Sequence, residues 1–282
     1  MRTLILGAKG QLGRDLVEAF EPMGEVRGCD LPELDISDEA ALQPVVARFS
    51  PDLIINAAAY TDVEGAEEDL QAAFLANETG ARNVADLAAY HRVPVVYFST
   101  DYVFDGAADA PYREEHPVAP LGAYGRSKAA GETATRRANP FHFIIRTAWL
   151  YGPGGNNFVE KILRAAASRP ELNVVEEEVG SPTHTIDLAR ATLALARTRK
   201  FGTYHAVNTG QCSRYEFARA IVSIAELDVA VRPCAASAFP TKAPRPKYTV
   251  LDTARLTDAT GFCMRPWRRA LLDYMERRTA HA

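Results

Sequence analysis

No stretch of this sequence is long and apolar enough to cross a bilayer, and none is repeated or of low complexity. A helical membrane protein and a solenoid are both excluded. Cysteine is scarce: Cys29, Cys212, Cys234 and Cys263 are widely dispersed, with no CxxC pair and no histidine at zinc-ligand spacing. A disulfide framework and a zinc site are not expected, and buried thiols in a reducing cytoplasm are. Charge of one sign is also lacking, since 32 basic and 36 acidic residues leave a net charge of -4. Without a basic field there is no case for nucleic acid or an anionic membrane as partner, so any phosphate must be bound locally. The opening apolar run at 3–6 is too short for a signal peptide, which again predicts a cytoplasmic protein.

What is present is an ordinary globular composition, 47% hydrophobic and 24% charged, in a length that fits one large α/β domain with a small appended lobe. Short β-branched or aliphatic runs recur at 3–6, 25–29, 52–56, 94–99 and 141–146, as a parallel sheet covered on both faces requires. Between them, apolar residues return every three or four positions near 11–22, 38–49, 67–90 and 124–138, predicting helices. Alternating β and α implies a Rossmann-type doubly wound α/β sheet. Beyond Trp149 the pattern turns irregular, with Gly-Pro-Gly-Gly-Asn-Asn at 152–157 and a Pro-rich, basic stretch at 240–247 that suit substrate loops. The helix-like run 184–199 and a strand at 203–206 are expected to return to the main sheet. The dinucleotide domain would then be 1–149 rejoined by 183–209, with a smaller interleaved lobe from 150–182 and 210–282.

Gly7-Ala8-Lys9-Gly10-Gln11-Leu12-Gly13 follows the first strand and opens the first helix. Glycines let the chain turn sharply and approach a pyrophosphate, whose charge the free helix N–H groups bind. Asp30, at the end of the second strand, is placed to accept from an adenosine ribose. Asp35 and Ile36 could flank the adenine, while capping of a helix by Asp35, Ser37 or Asp38 is the rival reading. Ala57, Ala58 and Ala59 end the third strand with side chains small enough for a dinucleotide to lie on them, although close helix packing would select the same residues.

Tyr124 and Lys128 stand four apart at a helix start and so share one face. A phenol is a poor acid near neutrality, its ordinary pKa being about 10, and a neighbouring ammonium is expected to bring it toward working pH while also holding the nicotinamide ribose. Thr100 and Asp101 end the fourth strand on the carboxyl edge, where open α/β sheets bind ligands, and Thr100 can donate to a substrate carbonyl.

With these motifs in order, the chain resembles the extended short-chain dehydrogenase/reductases and, within them, the dTDP-4-dehydrorhamnose reductase family. The resemblance runs through GxxGQLG at 7–13, LDISD at 34–38, NAAAYT at 56–61, STDYVFDG at 99–106, YGRSKAAGE at 124–132, RTAWLYG at 146–152, GNNFV at 155–159, GSPT at 180–183 and RPKYTVLD at 245–252. It implies reduction of the C4 ketone of a dTDP-linked deoxysugar by NADPH or NADH, with dual use expected because Asp30 favours NADH and Lys9 favours NADPH. Thr100, Tyr124 and Lys128 would be the catalytic group. Asp101, Tyr102, Trp149, Asn157 and Arg245 would face the sugar nucleotide. No metal is needed for this chemistry, and a monomer or homodimer is expected. Another nucleotide-sugar 4-ketoreductase or epimerase, or a non-catalytic cofactor-binding regulatory subunit, is the alternative. A dehydratase is disfavoured because Tyr102, not glutamate, follows Asp101.

Overall fold

A computed structural model describes residues 1–280 of the chain. Six parallel strands form the main sheet: β1 (Thr3–Leu6), β2 (Val26–Cys29), β3 (Leu53–Asn56), β4 (Val95–Thr100), β5 (His142–Thr147) and, after a shorter strand β6 (Glu171–Val175) elsewhere, β7 (Gly202–His205). Their order is β7-β5-β4-β3-β1-β2. Every residue of β1, β3, β4 and β5 is buried, which is why these strands read as runs that are apolar except at their ends. Successive side chains serve opposite faces. Ile5 and Ile55 join one core with Leu16, Val96 and Leu188, whereas Leu4, Leu6 and Ile54 join another with Leu42, Val84 and Val95.

Helices α1 (Gln11–Phe20), α2 (Glu39–Phe49), α3 (Ala81–Tyr90), α4 (Ala123–Ala138) and, past α5 (Phe158–Ala166), α6 (Thr185–Ala196) cover the sheet. The helix expected over 67–90 is broken. Short turns at Gly65–Glu68 and Leu70–Phe74 precede a π-helical stretch, Leu75–Gly80, and only then does α3 begin. Asp69 leaves helical geometry (φ −128°, ψ 78°) and its side chain caps the restart at Ala72. The wider turn sends Asn77 inward, where its amide donates to the Tyr60 carbonyl and to Ser127 Oγ and its Oδ1 accepts from the Tyr60 N–H. Apolar periodicity survives such a break, so the sequence pattern does not reveal it.

A third core lies beyond the carboxyl ends of the main strands. β6 pairs in parallel with β8 (Ala230–Cys234), under α5, α7 (Arg214–Ile224) and, following α8 (Ala254–Thr260), α9 (Trp267–Ala280). Val159, Ile162, Leu172, Phe217, Ile221 and Leu271 fill it. Leu256 and Met264, which fall within 210–282, instead bury in the sheet core beside Leu188.

Candidate active site

A cleft of about 1230 Å³ opens between the carboxyl edge of the main sheet and the smaller lobe. One wall is the glycine turn. Gly7 has φ +78°, and a Cβ there would meet Ala58 N at 2.5 Å; a Cβ on Gly13 would meet Gly7 O at 2.1 Å. No other residue permits this closeness of backbone to backbone. Gly10 caps α1 without any side-chain hydrogen bond, so the first-turn N–H groups are left facing the cleft. Backbone donors at a helix N-terminus, stripped of side chains, fit a dinucleotide pyrophosphate.

On the adenosine side the sequence-predicted residues already have partners within the chain. Both Asp30 oxygens already accept from backbone, Oδ2 from Lys9 N at 2.7 Å and Oδ1 from Leu31 N at 2.8 Å. Lys9 is not a free cation, because its ammonium pairs with Glu33 at 2.8 Å. Asp35 closes a local turn onto Ser37, and Asp38 is the residue that caps α2. Ile36 is 6% exposed and packed with Leu34 and Leu42. It serves the core, which leaves little of its side chain for an adenine face.

The catalytic candidates converge. Glu67, far off in sequence, accepts from Ala123 N at 2.6 Å and so caps α4 one residue ahead of Tyr124. A Cβ on Gly125 would meet Tyr102 O at 2.2 Å, so that glycine lets the first turn of α4 press against the end of β4. The Tyr124 and Tyr102 rings meet edge to face at 5.9 Å. Thr100 is buried, donates to Asp101 Oδ1 at 3.0 Å and accepts from Tyr102 N at 3.2 Å. Lys128 is 3% exposed, with its ammonium 4.3 Å from the centre of the Tyr97 ring.

Electrostatics correct one expectation. Burial, and then the Asp101 carboxylate, push the Tyr124 phenol above its ordinary range; Thr100 opposes them, and Lys128 is not among the groups that move it. Desolvation of a phenolate outweighs the help of an ammonium that is itself desolvated. Burial lowers the Lys128 amine to about 7, with Glu132 one turn on pulling it back up. Glu132 in turn holds Arg146 through two bonds of 2.8 and 2.7 Å, both side chains being buried. A phenol held protonated is a proton donor, the form that ketone reduction requires.

The opposite wall is made of side chains. Trp149 has φ +47°, unusual for a bulky residue, and its indole lies against Gly180, where a Cβ would meet Cε2 at 2.7 Å. The Arg214 guanidinium stacks 3.5 Å from the Trp149 ring centre, and its Nε donates to Glu178 at 3.3 Å. Arg245 donates through Nη2 to Glu64 at 2.9 Å, and its Nε is buried without a partner. Asn157 is committed to structure. Its amide donates to Gln11 Oε1 at 2.9 Å and to Gly152 O at 3.0 Å, while its Oδ1 caps α5. It ties the glycine wall to the lobe and has no free donor for a sugar.

Of the sequence-predicted residues, those at 10–13, 57, 59, 100–102, 124, 128, 149, 157 and 245 line this one cleft. Gly7, Asp30, Asp35, Ile36 and Ala58 lie outside its walls. Sequence reasoning missed Arg214, Glu178 and Lys247, which line it too. Arg214 had a signal: Ser213 and Glu216 form a capping box, so the residue between them starts a helix, here at the rim of the cleft.

The family model of the RmlD substrate binding domain matches residues 1–280. This chain belongs to that family. The spore coat polysaccharide biosynthesis protein SpsK of Bacillus subtilis is 39% identical to it over 99% of this chain and 98% of that protein. Among solved structures, dTDP-4-dehydrorhamnose reductase of Clostridium acetobutylicum superposes with a TM-score of 0.96 at 40% identity, covering 99% of this chain and 100% of the other. The Bacillus anthracis dTDP-4-dehydrorhamnose reductase, solved in complex with NADP, gives 0.94 at 40% identity, covering 98% and 99%. The α/β sheet expected from the sequence is thus the fold of this family. Among the described residues no helix is long and apolar enough to cross a membrane.

Proposed function

We propose that this chain reduces the C4 ketone of dTDP-4-dehydro-L-rhamnose to the alcohol of dTDP-L-rhamnose, using NADPH or NADH. The observation that carries the reading is the meeting of a protonated, buried Tyr124, Thr100 and Lys128 in one cleft with a side-chain-free helix N-terminus. Relatives at about 40% identity that bear the reductase name support the choice of sugar.

The dinucleotide, when bound against the glycine turn, supplies the hydride that the ketone carbon accepts. Thr100 orients the ketone by a hydrogen bond to its oxygen. Tyr124 gives its phenolic proton to that same oxygen as negative charge develops there, so carbonyl becomes hydroxyl and the tyrosine is left to recover a proton. Lys128 holds the ribose side. Trp149 packs on the sugar, and Arg214 and Arg245 supply positive charge for the diphosphate. Residues 1–149 with 183–209 serve as the dinucleotide domain, and 150–182 with 210–282, apart from the segment around Leu256 and Met264 that packs into the sheet core, as the lobe that binds the sugar nucleotide. Cytoplasmic location, a monomer or homodimer, and chemistry without a metal belong to the same reading.

Incubating the protein with dTDP-4-dehydro-L-rhamnose and NADPH, then identifying the product by NMR, tests it. Formation of dTDP-L-rhamnose is expected. Tight NADPH binding with no turnover would support the regulatory-subunit alternative instead, and turnover of a different 4-keto sugar would move the chain to a sister reductase.

A further inference from the structure

Asp101 is a buried acid that the reaction above leaves without a role. It is 2% exposed at the end of β4, lines the cleft, and touches the catalytic group through the 3.0 Å bond between its Oδ1 and Thr100 Oγ1. Its other oxygen, Oδ2, is buried and makes no hydrogen bond. The groups facing it come from four segments: Thr100 and Tyr102 on its own strand end, Tyr124 from α4, Arg214 from α7, and Thr249 from the C-terminal loops. The Thr249 hydroxyl faces the Asp101 carboxyl closely enough to favour its charged form, although no hydrogen bond of ordinary geometry reaches Oδ2. Leaving a charged oxygen buried and unpaired is unfavourable, so the neutral acid suits this pocket better than the carboxylate.

The hydroxyl of Thr100 has one proton and two lone pairs. One lone pair is taken by Tyr102 N–H at 3.2 Å. If Asp101 is a carboxylate it can only accept, and the single Thr100 proton goes to it. If Asp101 carries a proton on Oδ1, it donates to the second lone pair of Thr100, and the Thr100 proton is free to turn toward the Tyr124 oxygen and the cleft beside it. We propose that Asp101 is a positioning residue that sets the direction of the Thr100 hydroxyl, the enzyme being competent when Asp101 donates to Thr100 and Thr100 donates to the substrate ketone. The proposal rests on the reading that Thr100 contacts that ketone.

The pH window follows from the same site. Burial raises the Asp101 carboxyl to about 6, with Thr249, Thr100 and Arg214 pulling the other way. Competence is therefore complete well below pH 6 and is lost as pH rises through that value. Lys128, whose ammonium is also lost on the alkaline side, adds its own decline and must be separated.

The test is the pH profile of kcat/KM for the keto sugar at saturating NADPH, for the wild type, Asp101→Asn and Thr100→Ala. Above pH 6 the wild type should lose about tenfold per unit from Asp101 alone, in addition to the Lys128 decline. The amide of Asp101→Asn donates to Thr100 at every pH, so its profile should be shallower by one proton's worth of slope, and at pH 8 it should exceed the wild type by about tenfold or more. Thr100→Ala should be slower throughout and should lack the Asp101 limb, because no hydroxyl remains to be turned. Wild-type slope in either variant overturns the proposal, as does a uniform, pH-independent loss in Asp101→Asn. Should Asp101→Asn not fold, judged by its melting temperature and NADPH affinity, Thr100→Ala decides alone. Absence of wild-type turnover with the keto sugar would be a failure of the functional reading, visible before any variant is made.

Discussion

The wall of the cleft beside the glycine turn is made of backbone, whereas the wall across from it is made of side chains reaching in from 149, 178, 214 and 245. The first is local: seven consecutive residues, a strand end and a helix start create it. The second requires four distant segments, with Trp149 fixed between Gly180 and Arg214, and Arg245 held by Glu64. A wall of backbone is sensitive to any added atom and indifferent to charge. A wall of side chains tolerates changes of shape at its rim and depends on charge and stacking. Substitutions on the two walls should therefore fail in different observables.

The largest effect is expected where the walls meet. Tyr124→Phe removes the proton donor, so kcat should fall by about 10² to 10⁴, while the dissociation constant for NADPH stays within about twofold of wild type. Rapid-quench or steady-state kinetics alongside a fluorescence titration separate these quantities. A near-normal kcat would remove Tyr124 from the chemistry.

On the backbone wall, Gly13→Ala places a Cβ against Gly7 O and Ala8 Cα, at 2.1 and 2.7 Å before any relaxation. Overpacking of this kind costs about 1–3 kcal/mol, which should weaken NADPH binding by roughly ten- to hundredfold. Titration of the folded variant measures it. An unaltered affinity would show that the turn does not form the phosphate wall.

On the side-chain wall, Arg214→Ala should raise KM for the sugar nucleotide about tenfold, since a desolvated cation over an indole is worth roughly 1–2 kcal/mol, and NADPH affinity should not change. If cofactor affinity falls and sugar KM does not, the two walls have been assigned the wrong way round.

The smallest effect concerns the adenosine end. Lys9→Ala should lower kcat/KM for NADPH relative to NADH by about fivefold or less, because the exposed ammonium is shared with Glu33. Asp30→Ala should shift the ratio the other way by a similar factor. A wild-type preference beyond about a thousandfold, roughly 4 kcal/mol, would reveal a stronger determinant than either residue.

Much of the framework was legible because buried parallel strands leave a direct trace. β1, β3, β4 and β5 have to be apolar on both faces, and the sequence at 3–6, 53–56, 95–100 and 142–147 says so. The cradle was legible for a similar reason: Gly7 and Gly13 answer to steric demands within a few residues of themselves. The break in the helix expected over 67–90 was not legible, because the π turn is stabilised by what Asn77 meets at Tyr60 and Ser127, and periodicity carries no record of distant partners. Asn157 was expected on the sugar side because the family resemblance places its GNNFV motif there. Only its bonds to Gln11, Gly152 and Glu160 show that both of its N–H donors are engaged within the chain.

The sequence by itself determined the candidates for the chemistry, Thr100, Tyr124 and Lys128, and the strand end and helix start on which they sit, since those depend on short-range pattern and residue type. Tertiary structure alone decided their protonation and company. Burial keeps the Tyr124 phenol protonated and lowers Lys128 to about 7, and folding brings Arg214 over Trp149 and Glu67 to the start of α4. The reason is physical: a pKa and an ion pair depend on solvent exclusion and on charges a few ångströms away, and neither distance nor exclusion is a property of neighbours along the chain.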